Sequence, residues 1–310
     1  MARSRFSRLA LSLSFLAVLG AACGRLHQSG PGTSGTPSSP EPSPAPSPSG
    51  IPYPTGPGQL VIRVEQVGGF IAPTYLFTRI PMFSLFGDGR VIIEGAQTEI
   101  YPQPALPPLL VQQVTPEGVQ RLLELARAAG LMDKDAQYMN PRIADATTTV
   151  FTVVADGRTV VVRAYALGEG ADDPSLPPQD REGRRALLRF IEQVTDLTGT
   201  LGADNVGQPE TYEPAALRLL VQKGDPTEGG DLHEPEVAWP LDTPLSEFGQ
   251  PAAGALAGMG RCGVVEGADL AALMPAVRDA NQISPWTSDG KTYGITFRPL
   301  LPDESGCDQG

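Results

Sequence analysis

The sequence predicts an α+β fold with a mainly antiparallel sheet, because three Asp-Gly turn signals and about three helical segments are interspersed with apolar, strand-like runs. Each turn signal lies between two apolar runs, and the three signals are Asp88-Gly89, Asp156-Gly157 and Asp289-Gly290. Asp-Gly suits the two-residue type I′ turn, in which both central residues need positive φ. Such turns connect neighbouring strands directly, so antiparallel hairpins are favoured over a doubly wound parallel sheet.

The strands follow from the residue patterns beside these turns. Residues 60–65 alternate in polarity, with Leu60, Ile62 and Val64 on one face, as expected for a half-buried strand. Residues 75–86 are also strand-like and lead to the first turn. Apolar runs on both sides of the other two turns complete the predicted hairpins.

Three helices are expected to pack on this sheet. The first begins at Thr115 as N-cap, with proline at the next position, and ends at Gly130. The second spans residues 180–198 and places Leu187, Phe190, Ile191 and Val194 on one face. The third spans residues 268–280, where Pro275 should kink or restart the helix.

The N-terminus is typical of an export signal. Three arginines precede the apolar run Leu9–Leu19, which is shorter than the ~20 residues that span a bilayer. Small residues and Cys23 follow, and this stretch resembles the lipobox of bacterial lipoproteins, with Gly20 where leucine is usual. The resemblance implies cleavage before Cys23 and a lipid on its sulfur. Ordinary signal cleavage after Ala22, which would give a secreted protein, is the alternative.

The cysteine count predicts one disulfide. The chain has three cysteines, and a lipid on Cys23 would leave Cys262 and Cys307 as a pair in an oxidising compartment. A bridge closing a loop of this size stabilises the fold by ~4 kcal/mol in the chain-entropy model. We therefore expect Cys262 and Cys307 to be bonded to each other.

Composition divides the chain into four predicted segments. A signal peptide (1–22) precedes a disordered Pro/Ser/Gly-rich tether (23–58), whose apolar content is too low to offset the entropy of ordering. An α+β domain (59–204) follows. The remainder (205–310) is expected to be a smaller α+β segment or domain closed by the disulfide.

The net charge argues against one class of partner. The formal net charge is −12 at pH 7. An acidic surface repels phosphate backbones, so nucleic acid is not expected as a partner. The expected partners are the membrane, through the N-terminal lipid, and an envelope protein or glycan.

No motif for catalysis or cofactor binding fits its context. The residues Gly258–Gly263 match G-x-G-x-x-G, but no strand is predicted before them and no helix within them. His233 has acidic neighbours in a proline-bearing loop, without the spacing of helical metal ligands. Several carboxylates could form a hydrolytic pair, including Asp172 and Asp173, although nothing in the sequence selects them from surface charge. We expect no cofactor and no metal.

The C-terminal region contains a possible recognition surface. It would combine an aromatic ring, a fixed cation and two acids on a proline-stiffened segment, formed by Trp286, Arg298, Asp303 and Glu304. The competing interpretation is a final strand whose end is held by its prolines and by the Cys262–Cys307 bridge.

The segments Phe86–Val91, Thr115–Val119 and Arg298–Glu304, together with Trp286, resemble a group of uncharacterised lipoproteins from actinobacteria and similar high-GC bacteria. The resemblance implies an envelope location and assigns no chemistry. The sequence therefore predicts a lipid-anchored protein on the outer face of the cell membrane that acts as a non-catalytic binding or scaffolding module. A carboxylate-dependent envelope hydrolase and an inhibitor of a secreted enzyme are the alternatives.

Overall fold

A computed structural model describes residues 50–227 and 230–307. The predicted signal peptide, Cys23 and most of the predicted tether lie outside these residues. The described part is an α+β fold with fourteen strands in two sheets and six helices, which confirms the predicted class. None of its helices is long and apolar enough to cross a membrane.

The first sheet has eight strands in the order β5-β7-β6-β1-β2-β3-β4-β8 and is antiparallel except where β5 pairs with β7. Its strands are β1 Leu60–Val67, β2 Phe83–Phe86, β3 Arg90–Glu94, β4 Leu109–Gln113, β5 Ala136–Tyr138, β6 Thr148–Ala155, β7 Arg158–Tyr165 and β8 Glu210–Thr211.

The second sheet has six strands in the order β10-β13-β14-β9-β12-β11, and only β10 and β13 are parallel. Its strands are β9 Ala216–Lys223, β10 Val237–Ala238, β11 Gln250–Pro251, β12 Arg261–Glu266, β13 Pro285–Ser288 and β14 Lys291–Pro299. The described residues of both sheets belong to one compact unit, and the division proposed at residue 205 stays a prediction.

All three Asp-Gly signals join antiparallel strands, namely β2–β3, β6–β7 and β13–β14. Two have positive φ at both central residues, as a type I′ turn requires: Asp156 and Gly157, then Asp289 and Gly290. The first turn differs, because three residues separate its strands and only Gly89 of the Asp-Gly pair has positive φ. The sequence signal therefore identified all three hairpins but not the type of the first turn.

The six helices include the three that the sequence predicts. They are α1 Pro73–Thr78, α2 Pro116–Ala128, α3 Leu167–Gly170, α4 Pro178–Thr195, α5 Leu197–Leu201 and α6 Gly267–Asp279. The Thr115 hydroxyl accepts a hydrogen bond from the Gly118 amide at 3.1 Å and so caps α2. The α6 helix continues through Pro275.

Two sequence predictions are wrong in part. Residues 73–78 form a helix, not a strand, because Pro73 occupies the first helical turn, where its missing N–H costs nothing, and Phe77 is buried. The ordered body also begins before residue 59. Ile51 is buried and exchanges two hydrogen bonds with the Gln120 side chain on α2, at 2.7 and 3.0 Å.

Each sheet packs against helices to form its own apolar core. In the first sheet, α2 and α4 cover one face, and Phe151 of β6 lies 6.3 Å from Phe190 of α4, measured between ring centroids. In the second, α6 covers a core that contains both tryptophans, Trp239 and Trp286. These cores fix the two sheets that line the cavity described next.

Candidate functional site

A cavity of about 880 Å³ lies between elements of the two sheets. We call it the disulfide cleft. Its walls are β1 of the first sheet, helix α1, the segment 249–256, and strands β9, β12 and β14 of the second sheet, together with the C-terminal tail. The volume falls in the range of about 300–1,000 Å³ that is typical of ligand sites.

One end of the cleft is held by a buried ion pair. Arg298 donates from Nη1 and Nη2 to the two carboxylate oxygens of Glu304, at 2.6 and 2.7 Å, and the Leu301 amide donates to the same carboxylate at 2.9 Å. Burial alone would raise the pKa of Glu304, but the hydrogen bonds and charge of Arg298 outweigh it and the pKa is lowered. Glu304 is therefore held in its ionised form.

Two further arginines in the cleft are fixed by contacts across the fold. Arg63 of β1 donates to the Ser84 hydroxyl at 3.2 Å and to a carboxylate oxygen of Asp303 at 2.8 Å. Arg218 of β9 donates to the Phe77 carbonyl at 3.1 Å, and its guanidinium carbon lies 4.7 Å from the centroid of the Phe77 ring. Burial lowers the pKa of Arg218 to about 10. Arg218 therefore stays charged at neutral pH.

Cys262 of β12 and Cys307 of the tail form the disulfide and also line the cleft. Their Cα atoms are 6.1 Å apart and their sequence separation is 45 residues. The bridge fastens the tail that follows β14 and carries Asp303 and Glu304. One covalent bond and two ion pairs, Arg298–Glu304 and Arg63–Asp303, thus hold the same short segment against the cleft.

Glu65 differs from the other acids near the cleft. It lies two residues from Arg63 on β1, so both side chains point to the same face of the strand. The residue is half-buried, and among the described residues no group donates a hydrogen bond to its carboxylate. Burial raises the pKa of Glu65, although the charge of Arg63 opposes the rise. This carboxyl has unused capacity to bind a hydrogen-bond donor.

The remaining wall of the cleft is largely apolar. Its apolar side chains include Leu76 of α1 and Pro251, Ala252 and Leu256 of the segment 249–256. The arrangement suits a ligand with an apolar body and one hydrogen-bond donor. Binding would remove apolar surface of both the ligand and the cleft from water, and a single hydrogen bond would fix the orientation of the ligand.

The predicted recognition surface is only partly assembled. Arg298, Asp303 and Glu304 do lie on adjacent parts of the chain, but they form buried or half-buried ion pairs at the cleft and no exposed surface. Trp286 is fully buried between Trp239 and Phe297, with ring centroids at 6.0 and 5.3 Å. The prediction that Trp286 belongs to an exposed recognition surface is therefore wrong, because its side chain fills the core of the second sheet.

Sequence reasoning missed Arg63, Glu65 and Arg218 as site residues. A signal was present at Arg63 and Arg218, because each has apolar residues on both sides within a strand. Glu65 has apolar Val64 on one side only, since Gln66 follows it. Charged side chains are rarely buried unless they are paired, so such interruptions indicate a fixed partner or a site.

Other predicted chemistry lies elsewhere. Asp172 pairs with Arg185 at 2.7 Å on the exposed surface, and Asp173 accepts hydrogen bonds from Ser175 and Asn140. Neither lines the cleft. Within the described ranges there is no group of three or more His, Cys, Asp or Glu side chains that could hold a metal ion.

Comparison of this chain with protein-family models, with curated proteins and with solved structures finds no match in any of the three.

Proposed function

We propose that the protein is a lipid-anchored, non-catalytic binding module of the bacterial cell envelope and that its ligand occupies the disulfide cleft. The observation that carries the proposal is the half-buried Glu65 carboxyl, which faces an 880 Å³ cleft without a hydrogen-bond donor from the described residues. The surrounding frame is fixed by ion pairs and the disulfide. A preformed frame lowers the entropic cost of binding.

The side chains that line the disulfide cleft indicate the class of ligand. An apolar body would contact Leu76 and Leu256, and a hydroxyl or amine would donate to Glu65. The hydrogen bond from the ligand would stabilise the ionised form of Glu65, which burial disfavours in the free protein.

A cleft-filling variant tests the proposal. Ala255 lines the cleft and is exposed, so Ala255→Trp places a large side chain in the cavity without disturbing a core. Ala257→Trp is the matched control, because Ala257 is exposed and does not line the cleft. Native mass spectrometry of the protein purified from its own membranes should detect a bound small molecule in wild type and control but not in Ala255→Trp. Equal occupancy in all three, or none in wild type, contradicts the proposal.

The anchor is tested separately. Cys23→Ala should release the protein from the membrane fraction into the medium, because a diacylglyceryl chain supplies the membrane affinity. Unchanged membrane association of Cys23→Ala contradicts the lipid anchor and leaves the cleft experiment unaffected.

One observation favours a second candidate, the carboxylate-dependent hydrolase. Glu65 and Glu304 line the same cleft, and their environments shift their pKa values in opposite directions, as for an acid and a base. Against it, both oxygens of Glu304 already accept hydrogen bonds. Hydrolysis of a panel of aryl glycosides by wild type, with loss of activity in Glu65→Gln, would establish the hydrolase and contradict a purely binding role.

A further inference from the structure

A second cavity of about 920 Å³ lies beside helix α1. The helix contributes Leu76 and Phe77 to the disulfide cleft, whereas Thr74, Tyr75 and Thr78 line this second cavity. The other walls are the segment after β3, the loop before β4, the residues after α6, and β14. We call it the amide groove, after the Gln97, Gln103 and Gln282 side chains that line it.

Hydrogen bonds between the two halves of the chain fix the groove. The Ala105 amide donates to the Ala280 carbonyl at 3.1 Å, and the Gln282 amide donates to the Gln103 carbonyl at 2.9 Å. The Gln103 side chain also donates to the carbonyls of Thr98 and Ile100, at 2.6 and 2.7 Å. These contacts tie the loop before β4 both to the residues after α6 and to itself, so the groove is largely preformed.

The lining combines apolar side chains with uncharged polar ones and is close to neutral. Its charged side chains are one acid, Glu94, and one cation, Arg79. The Gln97 side chain donates to Glu94, and within the described residues no hydrogen bond is made to the Gln97 amide oxygen or by the Gln282 side chain. Uncharged amides and hydroxyls match a ligand that carries many hydroxyl groups, since each can donate and accept.

An exposed aromatic ring borders this mixed lining. Tyr75 is 61% exposed, and the guanidinium carbon of Arg79 lies 5.7 Å from its ring centroid. Tyr101 is 66% exposed and precedes the groove residue Gln103 by two positions. An exposed tyrosine ring offers apolar area to the C–H face of a sugar, and its hydroxyl can bond to water or ligand.

We infer that the amide groove binds a neutral oligosaccharide. Neutral amides, hydroxyls and an exposed tyrosine ring in one preformed groove match the alternating polar edges and apolar faces of pyranose rings. The two charged side chains of the groove, Glu94 and Arg79, offset each other, and the net charge of −12 disfavours an anionic polymer. This site goes beyond the proposed function, because it involves a different cavity and a different ligand class from the disulfide cleft.

Calorimetric titration of the full chain, in a detergent without a sugar head group, tests the inference. The probes are maltohexaose, cellohexaose and chitohexaose, with hexagalacturonate as the anionic comparison. We expect saturable binding of at least one neutral probe and weaker binding of hexagalacturonate. Tyr75→Ala should weaken the binding about tenfold, which corresponds to the loss of one aromatic contact.

Matched variants distinguish the loss of the Tyr75 ring from a general disruption of the fold. Tyr75→Phe keeps the ring and should bind within about threefold of wild type, because one exposed hydroxyl contributes little. Phe70→Ala removes an aromatic side chain that is 87% exposed outside the groove and should leave binding unchanged. The variant Ala255→Trp in the disulfide cleft should also bind the sugar normally, which distinguishes failure here from failure of the proposed function.

The inference is overturned if no neutral probe saturates at about 10 mM, a concentration at which even millimolar affinity is detected. It is also overturned if Tyr75→Ala binds as tightly as wild type, or if hexagalacturonate binds as well as the neutral probes.

Discussion

Arg298 and Glu304 form a two-point ion pair in which both side chains are nearly buried, with exposed fractions of 5% and 9%. Arg298 belongs to β14 of the second sheet, and Glu304 lies on the tail beyond it. A buried pair of this kind gains little over an apolar pair, but removing one partner leaves a charge in a poorly solvating environment. The pair therefore makes the position of the tail sensitive to single substitutions.

Glu304→Ala should lower the free energy of unfolding by about 3–5 kcal/mol, because it leaves Arg298 buried without its counter-charge. Glu213→Ala is the control, since Glu213 pairs with Arg278 at 2.6 Å while both side chains are more than half exposed. An exposed pair contributes about 0–1 kcal/mol. Denaturant unfolding of both variants measures the difference, and similar small losses would show that the buried pair is no more important than the surface one.

The stability of the protein should decrease in acid partly because of Glu304. Its pKa in the folded state is below the ordinary value of 4.5, so its contribution is complete above pH 4.5 and is lost as the pH falls through the folded pKa. Glu304→Gln cannot titrate, and its free energy of unfolding should fall less steeply below pH 4.5. Unfolding curves collected across this range give the slopes, and parallel slopes would contradict the assignment.

Glu65→Gln should have the opposite effect on stability. Burial raises the pKa of Glu65 above 4.5 in the folded state, so its ionised form is disfavoured there and stability is lost as the pH rises from 4.5 through the folded pKa. The amide variant should be more stable than wild type at neutral pH and not below pH 4.5. A loss of stability at neutral pH would show that the Glu65 carboxylate makes a favourable contact in the free protein.

Cys307→Ala should lower the free energy of unfolding by about 4 kcal/mol, as the chain-entropy model gives for a 45-residue separation. The bridge and the Arg298–Glu304 pair restrain the same tail, so the effects of Cys307→Ala and Glu304→Ala should not add. A double-mutant cycle measures the coupling. A double variant whose loss equals the sum of the single losses would show that the tail is held by each restraint independently.

The local elements could be predicted because their causes are local. Asp-Gly at Asp156 and Asp289 favours positive φ, and the cap at Thr115 with its proline starts α2, so neighbouring residues alone specify these features. Pairing Cys262 with Cys307 required only a count of cysteines and the lipobox resemblance. In contrast, α1 was missed because its six residues have too few apolar positions to show a helical period.

The sequence by itself determined the α+β class, the three hairpins, the three long helices and the acidic charge, since each depends on periodicity, turn chemistry or composition. Only the tertiary structure decided which charged residues meet and which aromatic is buried. Arg63 binds Asp303 across 240 positions of sequence, and Trp286 fills a core formed by distant strands. Such contacts depend on how sheets pack, and the packing brings together residues that no local pattern relates.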